Sequence, residues 1–266
     1  MTPGVRRIPT SKWTKHNILH KDERLAPYLP DTKPYTLATA AAYLHDFGCA
    51  VIKPEWSEGG NRVCRICRKE RSYVIEQGSS KTSVEHFRQV EPALPWWVAS
   101  KPCLIQRYIP LQSLRGRPVD MRTIIQRRPD GRFEVSGTFC KVAPAARFVT
   151  NVKQGGAALP LHRYLSQAIP DAAARNRVHA EVYRVSERVG ETLGRQFHNN
   201  VYGIDLGLDE QARVWIIEVN TQPNLDILRQ INPEMHRRAK ALQRFHRTLR
   251  RRLAASRTYP GRGGSE

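Results

Sequence analysis

The stretch of sequence that decides the fold is VYGIDLGLDEQARVWIIEVNTQP, residues 201–223. Two runs rich in apolar and β-branched residues flank DEQA, residues 209–212, and this arrangement predicts an antiparallel hairpin with a polar turn. Because side chains alternate between the two faces of a strand, one face of the hairpin is predicted to join a hydrophobic core. The predicted core face consists of Ile204, Leu206, Leu208, Trp215, Ile217 and Val219.

The opposite face of the hairpin is predicted to carry Asp205, Glu218 and Asn220, with Gly203 and Gly207 leaving room for a bulky ligand. Three hard oxygen donors on one side suit Mg²⁺, which keeps several waters and commonly shares its shell with substrate phosphates. The pattern therefore favours a metal and nucleotide site. On the hairpin alone, polar residues on the solvent side of a half-exposed sheet remain the alternative.

Helical and strand patterns lie on the N-terminal side of the hairpin. Residues 121–126 and 132–142 are predicted strands that flank a Pro-Asp-Gly turn. A long helix is predicted over about residues 176–197, because apolar residues recur there at helical spacing. These residues are Val178, Val182, Val185, Val189 and Leu193.

A smaller α+β unit is predicted before residue 102. Thr36 is placed to cap a helix over residues 37–47, and Gly48 is placed to end it. The other elements predicted for this unit are strands at 49–54, 63–67 and 72–76, a short helix at 84–90, and a loop at 55–63. After residue 102, a strand is predicted at 103–109 and loops are predicted at 111–120 and 143–160. The predicted domains are an irregular leading segment 1–33, a small subdomain 34–102, a large subdomain 103–233, and a basic helix with its tail, 234–266.

Composition limits the class of protein. Hydrophobic residues make up 40% and charged residues 26% of the 266 residues, which is typical of a globular chain and excludes wholesale disorder. No window is long and apolar enough for a transmembrane segment, and no secretory signal is visible, so a cytoplasmic location is expected.

The five cysteines are then expected to be reduced thiols. Cys64 and Cys67 form a CxxC on a predicted strand, where their side chains point to opposite faces.

The C-terminal region is strongly basic. Residues 237–257 contain nine Lys and Arg and no acidic residue, within a chain of net charge +20. One amphipathic helix is predicted, with a basic face and an apolar stripe that packs on the body. The stripe consists of Met235, Ala239, Leu242, Leu249 and Leu253. The basic face predicts that a polyanion or a protein binds there, and nucleic acid is one such polyanion. The alternative is that this face is simply a solvated surface.

Taken together, these motifs resemble the YheC/YheD family of the ATP-grasp superfamily, which is named for endospore coat-associated proteins. The resemblance covers about residues 11–233. Its motifs, in order, are KWTKHNILHKDERLAPYLPDT, AVIKP, LIQRYI, GRPVDMRTIIQ, TNVKQGG and IEVNTQP. The resemblance implies an α+β ATP-grasp fold in which two subdomains clasp ATP, followed here by the basic helix.

The resemblance also implies roles for particular residues. Arg122 and Lys141 would be catalytic residues that contact the transferring phosphoryl group, and Asp120 would orient Arg122. The implied nucleotide-binding residues are Lys53, Gly59, Gly60, Gln106, Arg107, Ile109 and Asn151. The implied ligands of Mg²⁺, or of Mn²⁺, are Asp205, Glu218 and Asn220.

Two functions follow from the resemblance. The first is an ATP-dependent ligase that joins an unknown carboxylate to an unknown amine or thiol through an acylphosphate. The second is a catalytically weak nucleotide-binding structural protein of a spore coat or envelope layer. The family's phosphate loop usually has three spaced glycines, whereas SEGGNR keeps only Gly59 and Gly60 and adds the carboxylate of Glu58, which repels phosphate. Whether the protein is an enzyme therefore stays open at this point.

Overall fold

The computed structural model describes residues 11–56, 62–145, 147–150 and 156–257. The helices are α1 (Lys12–His20), α2 (Leu37–Asp46), α3 (Val90–Ala93), α4 (Trp96–Ser100), α5 (Leu161–Ala168), α6 (Ala172–Gln196), α7 (Leu228–Ile231) and α8 (Pro233–Arg257). The strands are β1 (Thr32–Pro34), β2 (Cys49–Pro54), β3 (Cys64–Arg68), β4 (Tyr73–Gln77), β5 (Ser80–Val84), β6 (Cys103–Arg107), β7 (Ser113–Leu114), β8 (Arg117–Arg127), β9 (Phe133–Val142), β10 (Ala157–Pro160), β11 (Val201–Leu208) and β12 (Val214–Asn220).

The first sheet has the order β1-β6-β2-β3-β4-β5, and all its neighbouring strands are antiparallel. Helix α2 packs on this sheet and begins as predicted, because the Thr36 hydroxyl accepts a hydrogen bond from the Thr39 backbone N–H at 3.0 Å. Gly48 follows the helix with φ +71°, a conformation that glycine adopts without strain. The core beneath α2 includes Ala40, Leu44, Ile52, Ile66, Trp97 and Ile105.

One prediction for the first sheet was wrong. The predicted helix over residues 84–90 begins later, because Ser80–Val84 forms the edge strand β5 against β4. Strand β6 belongs to the first sheet, where Leu104 pairs with Lys53 of β2, and the predicted boundary between the subdomains at residue 102 stays a prediction. Pairing between strands distant in sequence decides sheet membership, and no local pattern records it.

The prediction that all cysteines are reduced thiols was also wrong. Cys49 of β2 and Cys67 of β3 form a disulfide, while Cys64, Cys103 and Cys140 are free and buried. The antiparallel register places Cys49 directly opposite Cys67, with their Cα atoms 4.1 Å apart. Sequence spacing alone did not indicate that pairing, because it depends on the register of the two strands.

The second sheet has the order β10-β9-β8-β11-β12, with β7 paired to β8. The long helix α6 covers one face, and the five apolar residues predicted for its stripe are all buried, which confirms that prediction. The predicted hairpin of residues 201–223 is confirmed as the antiparallel pair β11 and β12. The turn between β8 and β9 is also confirmed, and Gly131 there has φ +89°.

Three segments that were predicted to be irregular are regular instead. Residues 117–120 belong to β8, because they pair with β7 and β9, and residues 157–160 form β10. The leading segment contains α1, which is capped by the Ser11 hydroxyl and packs on α6 and β12. Leu19 on α1 is buried in the core of the second sheet, so tertiary packing stabilises a helix whose own apolar pattern is weak.

Helix α8 follows the prediction only in part. Its first half packs on the second sheet, where Ala239 is buried and the backbone carbonyl of Ala239 accepts from Gln126 Nε2 at 3.0 Å. Leu249 and Leu253, predicted to dock on the body, are 42% and 54% exposed. His246 Nε2 lies 2.5 Å from the carbonyl oxygen of Arg127, the last residue of β8, and Leu249 and Leu253 lie farther along the helix.

The two sheets meet along a cleft that is bridged by cationic side chains. The guanidinium of Arg107 lies 5.1 Å from the ring of Phe47 and 5.8 Å from the ring of Trp215. Arg65 of β3 lies between the rings of Tyr108 and Phe148.

In the described part of the chain, no helix has the length and apolar character needed to cross a bilayer.

Candidate functional site

The candidate site is built on one face of the second sheet. Asp205 on β11 is paired with Glu218 on β12, and Gly203 is paired with Asn220. On the other side of β11, Arg122 of β8 is paired with Asp205. Directly opposed residues on antiparallel strands point to the same face, so the three predicted metal residues and Arg122 share that face.

The prediction of which β12 side chains face the core was wrong for Trp215 and Ile217. Val214, Ile216 and Val219 belong to the core, whereas Trp215 and Ile217 are only half-buried. The register of the hairpin shifts between Asp205 and Leu206. A β-bulge places an extra residue on one strand and so reverses the alternation of side chains beyond it.

Asp205 is the centre of the site and holds two cations. Its Oδ1 accepts hydrogen bonds from Arg122 Nε at 2.6 Å and Lys141 Nζ at 2.8 Å. Its Oδ2 accepts from Arg122 Nη2 at 2.8 Å and Asn220 Nδ2 at 3.2 Å. Burial alone would raise the pKa of Asp205, but the two cations hold that pKa well below its usual range. The carboxyl is therefore ionised at neutral pH.

Asp120 supports the second of these cations. Its Oδ2 lies 3.1 Å from Lys141 Nζ and also accepts a hydrogen bond from the Thr150 hydroxyl. Asp120 was predicted to orient Arg122, but the contacts of the described residues connect it to Lys141 instead. Burial raises the pKa of Asp120 to about 6, although Lys141 opposes that shift. Burial lowers the pKa of Lys141, yet Asp120 and Asp205 outweigh it and leave a net rise.

Lys53 approaches the same region from the first sheet. Its Nζ donates to Gln106 Oε1 at 2.9 Å and to the backbone carbonyl of Ile217 at 3.3 Å. Gln106 in turn donates from Nε2 to the Thr32 hydroxyl at 2.9 Å. Burial lowers the pKa of Lys53 to about 8. The ammonium therefore bridges the two sheets.

Helix α1 completes a cavity beside Lys53, a contribution that the sequence motifs did not predict. Lys12 Nζ lies 3.6 Å from Glu218 Oε1, and Lys15 Nζ donates to the backbone carbonyl of Val219 at 2.5 Å. His16 also lines this cavity, and burial, helped by nearby cations, lowers its pKa to about 4. The i, i+3, i+4 spacing in KWTKH is the sequence signal that could have placed these side chains on one helix face.

The predicted hinge residues lie at the end of β6. Ile109 is buried, and the backbone N–H of Arg107 donates to the carbonyl of Asp31 at 2.8 Å. The side chain of Arg107 lies between two aromatic rings and so joins the subdomains at this end of the cleft. The predicted residues Gly59, Gly60 and Asn151 lie outside the described residues.

The chemistry of the donor set fits a hard divalent cation. Glu218 supplies a partly exposed carboxylate, and the amide nitrogen of Asn220 faces Asp205, so the amide oxygen points the other way. Within the ranges that the structure covers, no three His, Cys, Asp or Glu residues form a cluster. A cation here would therefore complete its shell with water or substrate oxygens, which is the habit of Mg²⁺.

Two antiparallel sheets with a cleft between them, and a carboxylate hairpin beside a buried lysine, define an α+β protein of the ATP-grasp fold. A family model described as YheC/D like ATP-grasp matches residues 7–247. The chain belongs to this family.

Two curated relatives are similar to the chain in sequence. The chain is 24% identical over 250 residues to the endospore coat-associated protein YheD of Bacillus subtilis (strain 168), covering 88% of this chain and 52% of YheD. It is 22% identical over 245 residues to YheC of the same organism, covering 88% of this chain and 65% of YheC. The chain thus spans about half of one relative and just under two thirds of the other.

Among solved structures, N5-carboxyaminoimidazole ribonucleotide synthetase from Thermotoga maritima is similar with a TM-score of 0.48 at 10% identity, covering 88% of this chain and 48% of that one. The ATP-grasp ligase PsnB is similar with a TM-score of 0.49 at 12% identity, covering 87% of this chain and 57% of that one.

Proposed function

We propose that the chain binds ATP together with Mg²⁺, or Mn²⁺, in the cleft between its two sheets, and that it is an ATP-dependent ligase. The observation that carries the proposal is the pair of cations, Arg122 and Lys141, that Asp205 holds beside Glu218. Such fixed cations beside accessible oxygen donors are the parts that phosphoryl transfer requires, because it depends mainly on positioning and charge neutralisation.

The nucleotide would lie in the cavity beneath α1. Lys53 and Lys12 would contact its phosphates, since both residues line this cavity. Gln106 is held by Lys53 and Thr32, and it would contact the adenine edge together with the backbone at Arg107 and Ile109. Gly59, Gly60 and Asn151 stay predicted nucleotide-binding residues.

The ligase chemistry needs no side-chain nucleophile. A substrate carboxylate would attack the γ-phosphorus of ATP and give an acylphosphate and ADP, and an amine or thiol would then displace phosphate. Arg122 and Lys141 would neutralise the charge on the transferring group, and Asp205 and Asp120 fix their positions.

Glu218 and Asn220 would hold the metal, with Asp205 as the third predicted ligand. When bound, the metal would supply positive charge that offsets the negative charge of the phosphates. The chain's own contribution is to hold these oxygens at fixed positions on paired strands.

A second candidate is a nucleotide-binding structural protein with little turnover, associated with a spore coat or envelope layer. Two observations favour it. Both curated relatives are named as endospore coat-associated proteins. The SEGGNR loop adds Glu58 where a phosphate loop works best without side chains.

Calorimetric titration with a nonhydrolysable ATP analogue, with and without Mg²⁺, tests nucleotide binding. Glu218→Ala is expected to lose Mg²⁺-dependent affinity by at least about tenfold, because it removes a charged oxygen donor. Glu210→Ala, in the exposed turn of the same hairpin, is the matched control and should bind like the wild type. Normal Mg²⁺-dependent affinity in folded Glu218→Ala would contradict the metal assignment.

Phosphate release separates the two candidates. A ligase should release phosphate from ATP when a panel of carboxylates and amines contains its substrates. The structural role would be supported by a different result. In that case the protein would bind the nucleotide in a Mg²⁺-dependent manner but would turn over no carboxylate, amine or thiol in the panel.

A further inference from the structure

The carboxylate of Asp205 is fully occupied by the protein. Each of its oxygens accepts two hydrogen bonds, from Arg122 and Lys141 on Oδ1 and from Arg122 and Asn220 on Oδ2. An ionised carboxylate offers about four acceptor positions in total. A metal ion could therefore bind Asp205 only after one of these donors had left.

Glu218 has a different environment on the neighbouring strand. Its side chain is 26% exposed, against 10% for Asp205, and its ion pair with Lys12 is long at 3.6 Å. Glu218 also lines the cavity beneath α1, whereas Asp205 is not among the residues that line it. The two carboxylates are thus directly opposed in the hairpin, but of these two residues only Glu218 lines the cavity.

The charges around Asp205 alternate in a line of buried groups. Asp120 contacts Lys141, Lys141 contacts Asp205, and Asp205 contacts Arg122 in a bidentate pair. Separating a buried cation from its carboxylate is unfavourable, because neither group regains full hydration. The line therefore keeps Arg122 and Lys141 at fixed positions on adjacent strands.

We propose that Asp205 is a positioning residue for Arg122 and Lys141 and that Glu218 and Asn220 hold the metal without it. This assignment rests on the proposed function and replaces the predicted role of Asp205 as a metal ligand. The hydrogen bonds to Asp205 would orient both cations toward the transferring phosphoryl group, and the bond from Asn220 would orient its amide oxygen toward the metal.

Direct measurement of Mn²⁺ binding tests the first half of the proposal. Protein-bound Mn²⁺ is followed by electron paramagnetic resonance in the presence of the nonhydrolysable ATP analogue, for the wild type, Asp205→Asn and Glu218→Gln. Glu218→Gln is expected to lose Mn²⁺ affinity by about tenfold or more, and Asp205→Asn by less than about threefold. A larger loss in folded Asp205→Asn would overturn the proposal.

A double-mutant cycle tests the second half. If Asp205 acts partly through Arg122, Asp205→Asn should change the affinity for the analogue by at least about threefold in the wild type, and by less in Arg122→Gln, where Lys141 is the one cation left for Asp205 to position. Equal effects in both backgrounds would overturn the positioning role, because a residue that acts independently of Arg122 gives additive effects. Asp205→Ser is the second variant for use if Asp205→Asn does not fold.

The outcomes that would contradict the proposed function differ from those that would contradict the role of Asp205. If the wild type binds neither Mn²⁺ nor the analogue, or if Glu218→Gln binds Mn²⁺ normally, the metal and nucleotide site itself is wrong. If Glu218→Gln behaves as expected but Asp205→Asn also loses Mn²⁺ affinity by about tenfold, the site stands and Asp205 is one of its metal ligands.

Discussion

At the scale of a single residue, Lys53 is both positively charged and buried, and burial disfavours the charge. It is a buried ammonium that bridges Gln106 and Ile217, and burial lowers its pKa to about 8 from the ordinary 10.5. The positive charge that would attract phosphate is therefore retained below pH 8 and lost above it. Glu218 and Asp205 oppose this shift, and Lys12 and Lys15 add to it.

We predict that nucleotide affinity falls as pH rises through about 8. The affinity should decrease by up to about tenfold per pH unit, until the pKa of the complex is reached, because one proton is linked to binding. The measurement is a titration with the analogue in the presence of a chelator, from neutral pH upward. Lys53→Met, which has no ammonium to lose, should bind weakly with little pH dependence, and a steep dependence in this variant would contradict the assignment.

The same group predicts the opposite trend for stability. In the unfolded chain the lysine stays protonated up to about 10.5, so unfolding takes up a proton between pH 8 and 10.5. The contribution of Lys53 to the free energy of unfolding should therefore increase with pH across that window. Urea unfolding of the wild type and Lys53→Met would show the difference.

At the scale of elements, α6 and α8 have similar apolar patterns but different environments. Leu193 on α6 is fully buried, whereas Leu249 on α8 is 42% exposed. We predict that Leu193→Ala lowers the free energy of unfolding by about 2–5 kcal/mol, since it leaves a cavity. Leu249→Ala should change it by no more than about 0.5 kcal/mol. Urea unfolding measures both, and equal effects would show that α8 packs on the body along its whole length.

The disulfide between β2 and β3 gives another prediction at this scale. The unfolded, non-reduced protein should contain three reactive thiols, those of Cys64, Cys103 and Cys140, and five after reduction. Because the bond closes a loop with a sequence separation of 18, reduction should lower the free energy of unfolding by about 3 kcal/mol. Cys49→Ser should be insensitive to reductant, and five thiols before reduction would contradict the pairing.

At the scale of the whole molecule, the net charge of +20 predicts affinity for polyanions. Three consecutive exposed arginines, Arg250, Arg251 and Arg252, lie on the second half of α8. We predict that replacing all three with Gln weakens binding to duplex DNA and lowers the slope of log affinity against log salt by about 2–3. Fluorescence anisotropy at several salt concentrations is the measurement.

A second triple variant is the control for net charge. Arg68, Lys69 and Arg71 are exposed at the turn between β3 and β4, so their replacement with Gln removes the same charge from a different surface. This control should bind DNA nearly as well as the wild type. Equal losses in the two triple variants would show that overall charge, and not α8, determines the affinity.

The sequence by itself determined the class of fold and most of its elements. The stripe of α6, the cap of α2 and the hairpin of residues 201–223 depend on spacings within one element, and each was found where it was predicted. Motifs in family order also gave the ATP-grasp assignment. Such features are local, since helix and strand periodicity follow from backbone geometry.

Only the tertiary structure decided which groups meet. It paired Cys49 with Cys67, placed β6 in the first sheet, brought α1 with Lys12 to the cavity, and connected Asp120 to Lys141. It also reversed the faces of β12 at a bulge and left Leu249 and Leu253 of α8 exposed. The physical reason is common to all of these, because strand register and packing depend on contacts between distant residues, which no local spacing encodes.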